Sequence, residues 1–365
     1  MLQTTQSTPG IWKKLKRNKA AVIGLIIIAF AVFVCIFGYI IAPDSTQDAD
    51  LQTVEIQSRP PGYTQQFLKL PGNKNTSEGI FKTLFFGRSA DYRLLPINNY
   101  SITGDSIRVN KYVDEDTAVV QAYNINELTN GRPQELKKYL ITKRFLLGTD
   151  AFGRDILSRL IIGTRVSMMV GLVAVIISLS IGILLGALAG FYRGKTDSAI
   201  MWLVNVTWSI PTLLLVFAIT LTLGKGFWQI FIAVGLTLWV SVARLVRGQV
   251  MAVKELEYVQ AARALGFRDS RIIFRHILPN IIGPVLVIAA GNFATAIIIE
   301  AGLSFLGIGV QPPQPSWGLM IKENYNLIIT HNAVQALIPG FAIMLLVMAF
   351  NLVGTGLRDA VDVKG

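Results

Sequence analysis

From Ala20 to Ala42 the chain runs 23 residues without a charged side chain, and a helix of that length reaches across a bilayer core with some tilt. Comparable apolar stretches recur at about Val166 to Tyr192, Ala199 to Leu223, Phe227 to Ala243, Ile281 to Ile299 and Ala333 to Val353. Six membrane-spanning helices are therefore predicted. A secretory leader is the alternative for the first stretch, because WKKLKRNK precedes it. Leader cores run about 7–15 apolar residues and end at a small-x-small cleavage site, so length and flanks both predict a retained helix.

The spacing of these runs is uneven. About 120 mostly polar residues separate the first span from a block of five. They form more than a linker, since aromatics recur from Tyr63 to Tyr139 in numbers that can build a small core. Alternation in SITGDSIRV (residues 101–109), with Gly104 and Asp105 at its centre, predicts a hairpin. Pro133 opens a short predicted helix over Arg132 to Leu140. The block then begins LGTDAFGRDILSRLIIGTR, where Asp150 is a candidate helix cap and Ile156, Leu160 and Ile161 share one face of an amphipathic lead-in helix. The expected organisation is a basic tail (1–19), a first span (20–42), an insert with lead-in helix (43–163), a five-helix core (164–354) and a second tail (355–365).

Charge fixes the predicted orientation. With both termini on one side, the inner segments hold 16 basic residues against six acidic ones, which is most of the net charge of +12. The insert, at 16 basic and 14 acidic, is nearly balanced. This is the positive-inside pattern, and it places both termini in the cytoplasm and the insert outside. The excess faces anionic lipid, so no nucleic acid is needed to explain it. Only 15% of residues are charged and mean hydropathy is +0.51, which excludes disorder, coiled coil and collagen and leaves a large charge deficit against a soluble domain. A single cysteine, Cys35, excludes a disulfide framework, and His276 and His331 are too far apart in sequence to predict a metal site.

Several motifs have structural readings. Gly182, Gly186 and Gly190 stand four apart in the second span, where small residues let two helix backbones approach in lipid. Pro211 falls inside the third span as a kink. GFYRGKT (190–196) has three residues between its glycines where a phosphate-binding loop needs four, and GLSFLGIGV (302–310) lacks the strand and ribose-binding acid of a dinucleotide loop. No cofactor or metal is predicted on this chain. Glu300 is an acid inside a span near one end, read either as an interfacial carboxylate in headgroup water or as a pathway or gating residue.

The segment ELEYVQAARALGFRDSRIIFRHILPN (255–280) predicts two short helices. The first is closed at Gly266 in a left-handed turn, and the second is capped by Asp269 or Ser270 and runs to Leu278. Pro279 is then the expected first residue of the fifth span. A DNA-reading helix pair would need to leave the bilayer surface, which the flanking spans forbid.

This segment resembles the coupling loop of membrane subunits of ATP-binding-cassette importers, whose pattern is Glu-Ala-Ala, three residues, Gly, nine residues, Ile-x-Leu-Pro. Gln260-Ala261-Ala262, Gly266 and Leu278-Pro279 fall at that spacing. Gln260 replaces the family's Glu and His276 its Ile, and Glu257, one turn earlier, is the nearby acid. LGTDAFGRDILSRLIIGTRVS, EAGLSFLGIGVQPPQPSWG and NLVGTGLRDAVD extend the resemblance to the second permease subunit of the dipeptide/oligopeptide/nickel branch. It covers the first span and nearly all of Leu147 to Asp362, and says nothing of the insert from about Pro43 to Arg144.

The resemblance implies an all-α polytopic permease of six helices with a small mixed α/β insert, in a bacterial cell membrane. It implies a homologous second permease, two ATPase subunits that bind ATP and Mg²⁺, and an extracytoplasmic solute-binding protein as partners. The loop 255–279 would couple the ATPases to transport of di- or oligopeptides, with nickel or another small solute as the alternative cargo. The chain itself would not be an enzyme. A secondary transporter would instead show inverted repeats and mid-membrane ionisable residues. A membrane-anchored sensor would leave five spans and the loop unexplained.

Overall fold

The computed structural model describes residues 8–72, 80–88, 92–224, 226–329 and 333–361. His331, Asp362 and the end of the expected C-terminal tail lie outside them. In chain order the helices are α1 (Thr8–Arg17), α2 (Lys19–Ile41), α3 (Ile80–Phe86), α4 (Ile125–Leu128), α5 (Ile156–Tyr192), α6 (Gly194–Ser209) and α7 (Thr212–Leu223). There follow α8 (Phe227–Lys254), α9 (Glu257–Ala264), α10 (Asp269–Arg271), α11 (Ile282–Phe305), α12 (Trp317–Asn324) and α13 (Ala333–Val361). The strands are β1 (Tyr63–Pro71), β2 (Tyr92–Thr103), β3 (Ser106–Tyr112), β4 (Ala118–Asn124) and β5 (Leu140–Phe145).

Among the described residues five helical segments are long and apolar enough to cross a membrane, and there are six if a bent pair counts as one span. The bent pair is the expected third span. Its helices α6 and α7 meet at 93°, which is a break and not the modest kink read from Pro211. Ile210, just before the proline, is extended (φ −92°, ψ 128°), the conformation that proline's ring imposes on its predecessor. The expected amphipathic lead-in is not a separate helix either. The chain is helical without interruption from Ile156 to Tyr192, 37 residues or about 55 Å, well beyond the apolar thickness of a bilayer.

The chain divides into two compact units. One comprises the described residues of Met1–Val32, Ser167–Gln311 and Ala342–Gly365. Here α5 and α8 pack through the three glycines. A Cβ on Gly182, Gly186 or Gly190 would lie 2.8, 2.5 and 2.7 Å from the carbonyl oxygens of Trp239, Ala243 and Arg247. Asn292, buried on α11, donates to the Leu238 carbonyl on α8 at 3.2 Å and accepts from Ser241 at 3.3 Å, tying the two helices with polar bonds that lipid cannot compete for. Gly24 on α2 lies against α13, where a Cβ would meet the Ala349 carbonyl at 2.6 Å.

The other unit comprises Phe33–Val166 and Pro312–Phe341. Its centre is an antiparallel sheet in the order β4-β3-β2-β1-β5. The predicted hairpin is β2–β3, with Thr103 opposite Ser106 and Gly104 at φ +57° in the first turn position, where a type II′ turn requires glycine. Side chains alternate across the sheet. Leu68, Leu95, Ile97, Ile107 and Val109 pack with Ile125, Leu128 and Leu136 on one face, while Phe67, Leu94, Tyr112 and Phe145 pack with Ile56 on the other. The predicted helix after Arg132 is a 3-10 turn over Pro133–Lys138 with the proline in its first turn.

Candidate functional site

The segment after α8 is built by local chain chemistry. The α9 helix closes in a Schellman motif: the Phe267 N–H donates to the Ala262 carbonyl at 3.2 Å and the Gly266 N–H to the Arg263 carbonyl at 3.0 Å. Gly266 sits at φ +76°, so the turn needs a residue without a Cβ penalty. Nothing lies within 4 Å of where its Cβ would be, so the requirement is conformational and not steric.

The second helix differs from expectation. Arg268, extended and without a side-chain cap bond, precedes α10, so neither Asp269 nor Ser270 caps it. The chain then widens into a π-helical stretch over Ile272–Ile277, tightens into a 3-10 turn over Leu278–Ile281 and continues as α11. Pro279 is therefore inside a helical segment running from Asp269 to Phe305, not at the start of a span. Proline cannot donate to the carbonyl four residues back and its ring crowds that carbonyl; changes of helical register are how a helix passes it.

The pair of helices has two distinct faces. Inward, Val259, Ile272, Ile273 and Ile277 are buried with Ala187 and Phe191 of α5, Val242, Val246 and Val250 of α8, and Ile281 and Val285. Ala262 is buried and Ala261 exposed, so only Ala261 is available to a partner. Gln260 donates to the Lys254 carbonyl at 2.8 Å, closing the turn after α8 with a donor that a glutamate in its place would lack. Glu257 is exposed, Leu278 is half-buried and Pro279 exposed. The Arg271 guanidinium lies over the Phe267 ring at 4.4 Å, and the His276 ring stacks with it at 6.1 Å. Outward, Leu256, Tyr258, Leu265 and Phe274 expose 43, 43, 75 and 67% of their surface. Exposed apolar side chains of this kind are the usual material of interaction surfaces. Sequence periodicity missed these four, although Phe274 beside two buried isoleucines was a signal.

Glu300 is fully buried, which corrects the reading of a carboxylate in headgroup water. Its Oε1 accepts from the Ser304 hydroxyl at 2.6 Å, and Ser304 Oγ accepts from the Val310 N–H at 3.0 Å. The carboxylate thus fastens the glycine-rich turn after α11 back onto the helix end. A Cβ on Gly309 would meet the Ser304 backbone nitrogen at 2.3 Å, so that turn also excludes side chains.

The second unit holds an ion cluster that the sequence reading did not find. Arg154 and Arg159 are 2% and 0% exposed. Arg154 donates to Asp150 at 2.7 Å, Asp50 at 3.1 Å and Glu323 at 2.6 Å, and Arg159 lies 3.3 Å from Glu323. Asp150 therefore holds Arg154, while Asp155 caps α5 by accepting from the Ser158 N–H at 3.0 Å. Burial pushes the Asp155 carboxyl up, against the Ser158 bonds that pull it down. No group of three or more metal-ligating side chains occurs among the described residues.

Residues 182–364 match the model of a family described as the binding-protein-dependent transport system inner membrane component. Residues 9–61 match the N-terminal transmembrane domain of oligopeptide transport permease C. The strands β1–β5 fall outside both matches. The di/tripeptide transport system permease protein DppC of Pseudomonas aeruginosa is 46% identical over 221 residues, 60% of this chain and 73% of that one. The glutathione transport system permease protein GsiD of Pectobacterium atrosepticum is 43% identical over 218 residues, 60% and 72% of the two chains. The oligopeptide transport system permease protein OppC of Bacillus subtilis is 41% identical over 223 residues, 61% and 73%.

Proposed function

We propose, from the premise that this chain belongs to the family of binding-protein-dependent transport system inner membrane components, that it forms half of the pathway of an ATP-driven peptide importer. A homologous second permease completes the pathway. Two ATPase subunits, which bind ATP and Mg²⁺, dock on the 255–279 segment, and an extracytoplasmic binding protein delivers the solute. Both termini and that segment face the cytoplasm; the insert faces outward.

The observation that carries the coupling role is the two-faced helix pair. Its inner face is continuous with the ends of α5, α8 and α11, and its outer face exposes Leu256, Tyr258, Leu265 and Phe274. A partner gripping those side chains moves the spans through packed contacts, which transmit displacement because interiors resist compression. Peptides are the preferred cargo because the relatives named above are permeases for di/tripeptides, oligopeptides and glutathione.

The experiment is co-purification of the membrane subunit with its ATPases, followed by peptide uptake into proteoliposomes with the binding protein and ATP. Uptake that needs all components is expected. A subunit that purifies without an ATPase, or uptake driven by an ion gradient alone, refutes the reading.

A further inference from the structure

We infer that Arg244, Asn205 and the break between α6 and α7 form a binding station for a carboxylate, lining a water-filled face of the membrane region. The inference rests on the peptide-import reading given above and names what that pathway holds.

Arg244 donates through Nη2 to Asn205 Oδ1 at 2.8 Å, and its guanidinium carbon lies 3.6 Å from the centre of the Trp208 ring. Asn205 and Trp208 stand 11 and 14 residues along α6 from Gly194, which is about 16 and 21 Å along the helix axis. Measured from the turn before α6, this cation therefore lies inward by more than half the thickness of a bilayer core, which is about 30 Å. The neighbouring arginines are neutralised: Arg193 pairs with Glu255 at 2.6 Å and Arg247 with Asp197. Arg244 has only neutral partners. Its Nε is buried without a hydrogen-bond acceptor, and no carboxylate is in ion-pair range of it among the described residues.

The second observation is the backbone beside it. The α6 helix ends at Ser209, Ile210 is extended, and α7 starts after Pro211 with no side-chain cap. Asn205, Ser209 and Pro211 are exposed, as are Trp208 (60%) and Ile210 (40%). Non-helical backbone at membrane depth is tolerated only in protein or beside a water-filled cavity, and an unneutralised arginine there faces the same environments. An exposed break and a cation with only neutral partners on one face thus both exclude lipid, and in the peptide-import reading that face is the water-filled pathway. A carboxylate completes the guanidinium's geometry with two parallel hydrogen bonds. Every peptide with a free C-terminus carries one.

Two measurements on the complete reconstituted complex test this. In the first, Ser209→Cys is placed in a Cys35→Ser background and exposed on both membrane sides to a charged thiol reagent, with Leu184→Cys on α5 as the exposed apolar control. Because the thiolate forms in water, Ser209→Cys is expected to react at least about tenfold faster. Equal rates overturn the water-filled face. In the second, uptake of a dipeptide and of its C-terminal amide is compared for Arg244→Gln and Arg244→Lys, each as a ratio to wild type so that upstream preferences cancel. Arg244→Gln is expected to lower the free acid by about tenfold to a hundredfold, the scale of a lost charge-assisted hydrogen bond, while the amide changes by less than about twofold. Arg244→Lys restores part of the loss. Equal loss of both peptides, or of neither, overturns the carboxylate assignment. A wild-type complex that takes up neither peptide overturns the peptide reading, and the carboxylate assignment falls with it.

Discussion

Adding one methyl group at Gly186 tests how closely α5 and α8 approach. The new Cβ would lie 2.5 Å from the Ala243 carbonyl oxygen and 2.9 Å from Val246 Cβ, where ordinary contact begins near 3.4 Å. The first obstacle is backbone, which cannot swing aside as a side chain can, so the two helices must separate. Overpacking of this kind costs about 1–3 kcal/mol. Alanine also gains about 1 kcal/mol over glycine as a helix former, so the single variant confounds two effects. Gly248→Ala separates them: it lies inside α8, and nothing stands within 4 Å of its Cβ position.

The difference between Gly186→Ala and Gly248→Ala therefore isolates the clash, at about 1–3 kcal/mol. Thermal unfolding of the detergent-solubilised subunit at one fixed scan rate is the assay. Gly248→Ala is expected to melt at or slightly above the wild type and Gly186→Ala a few degrees below it. Gly182→Ala and Gly190→Ala should fall with Gly186→Ala, since each meets a carbonyl of α8. Identical melting of Gly186→Ala and Gly248→Ala would refute the close approach.

Gly266→Val forces a β-branched residue to φ +76°, a strain of about 1 kcal/mol or more, and is expected to leave a membrane-inserted subunit that pulls down less ATPase. Ala261→Trp should do the same from the exposed face, whereas Ala262→Trp, at a buried position, should lower subunit abundance. Leu327→Ala, in the 3-10 turn Tyr325–Ile328 on the side proposed to face outward, is the control and should keep the ATPases bound. Glu323→Gln leaves two buried arginines short of charge and is expected to destabilise by about 3–5 kcal/mol, read as early unfolding, with partial recovery when Arg159→Met is added. Burial pushes the Glu55 carboxyl up, but the Lys111 ammonium at 2.8 Å, with the Arg93 charge, outweighs it and holds the group below its ordinary value. Its contribution to stability is then present above the unfolded carboxyl's range and lost as pH falls through the folded one. Acid melts of Glu55→Gln should consequently converge on the wild type at low pH and lie below it at neutral pH.

What the residues disclosed in advance was what depends on local pattern. Apolar runs located the spans because length alone decides whether a helix crosses lipid, and Gly104 located the hairpin because its turn needs one particular backbone region. The 93° break was not legible, since a proline in an apolar run reads equally as a kink or an end. Nor was the choice of cap for α5. Asp150 and Asp155 both precede the helix, and the structure pairs Asp150 with Arg154 and gives the cap to Asp155. The ion cluster joins residues 104 and 169 positions apart, which no period along a chain encodes. Glu300 has the same character: its burial follows from Ser304 and the turn that returns Val310, not from its place in the apolar run.

For the coupling role proposed above, the boundary at Pro279 has the largest consequence. A span beginning at the proline would set a joint between the docking helices and the membrane, and a joint absorbs displacement. Instead the chain is helical from Asp269 to Phe305, and Ile272, Ile273, Ile277 and Ile281 bury their side chains with residues of α5 and α8 along its first turns. Packed elements carry displacement between sites, and this segment is helical throughout, through its π-helical and 3-10 stretches. From Ile282 it continues for 24 residues, about 36 Å, to a far end where Glu300 and Ser304 hold the Val310 turn. In the coupling role proposed above, force applied at Phe274 would reach that turn through one continuous helix, with the changes of register around Pro279 preserving continuity where proline would otherwise break it, whereas force at Leu265 would enter through the packing of α9 on that helix.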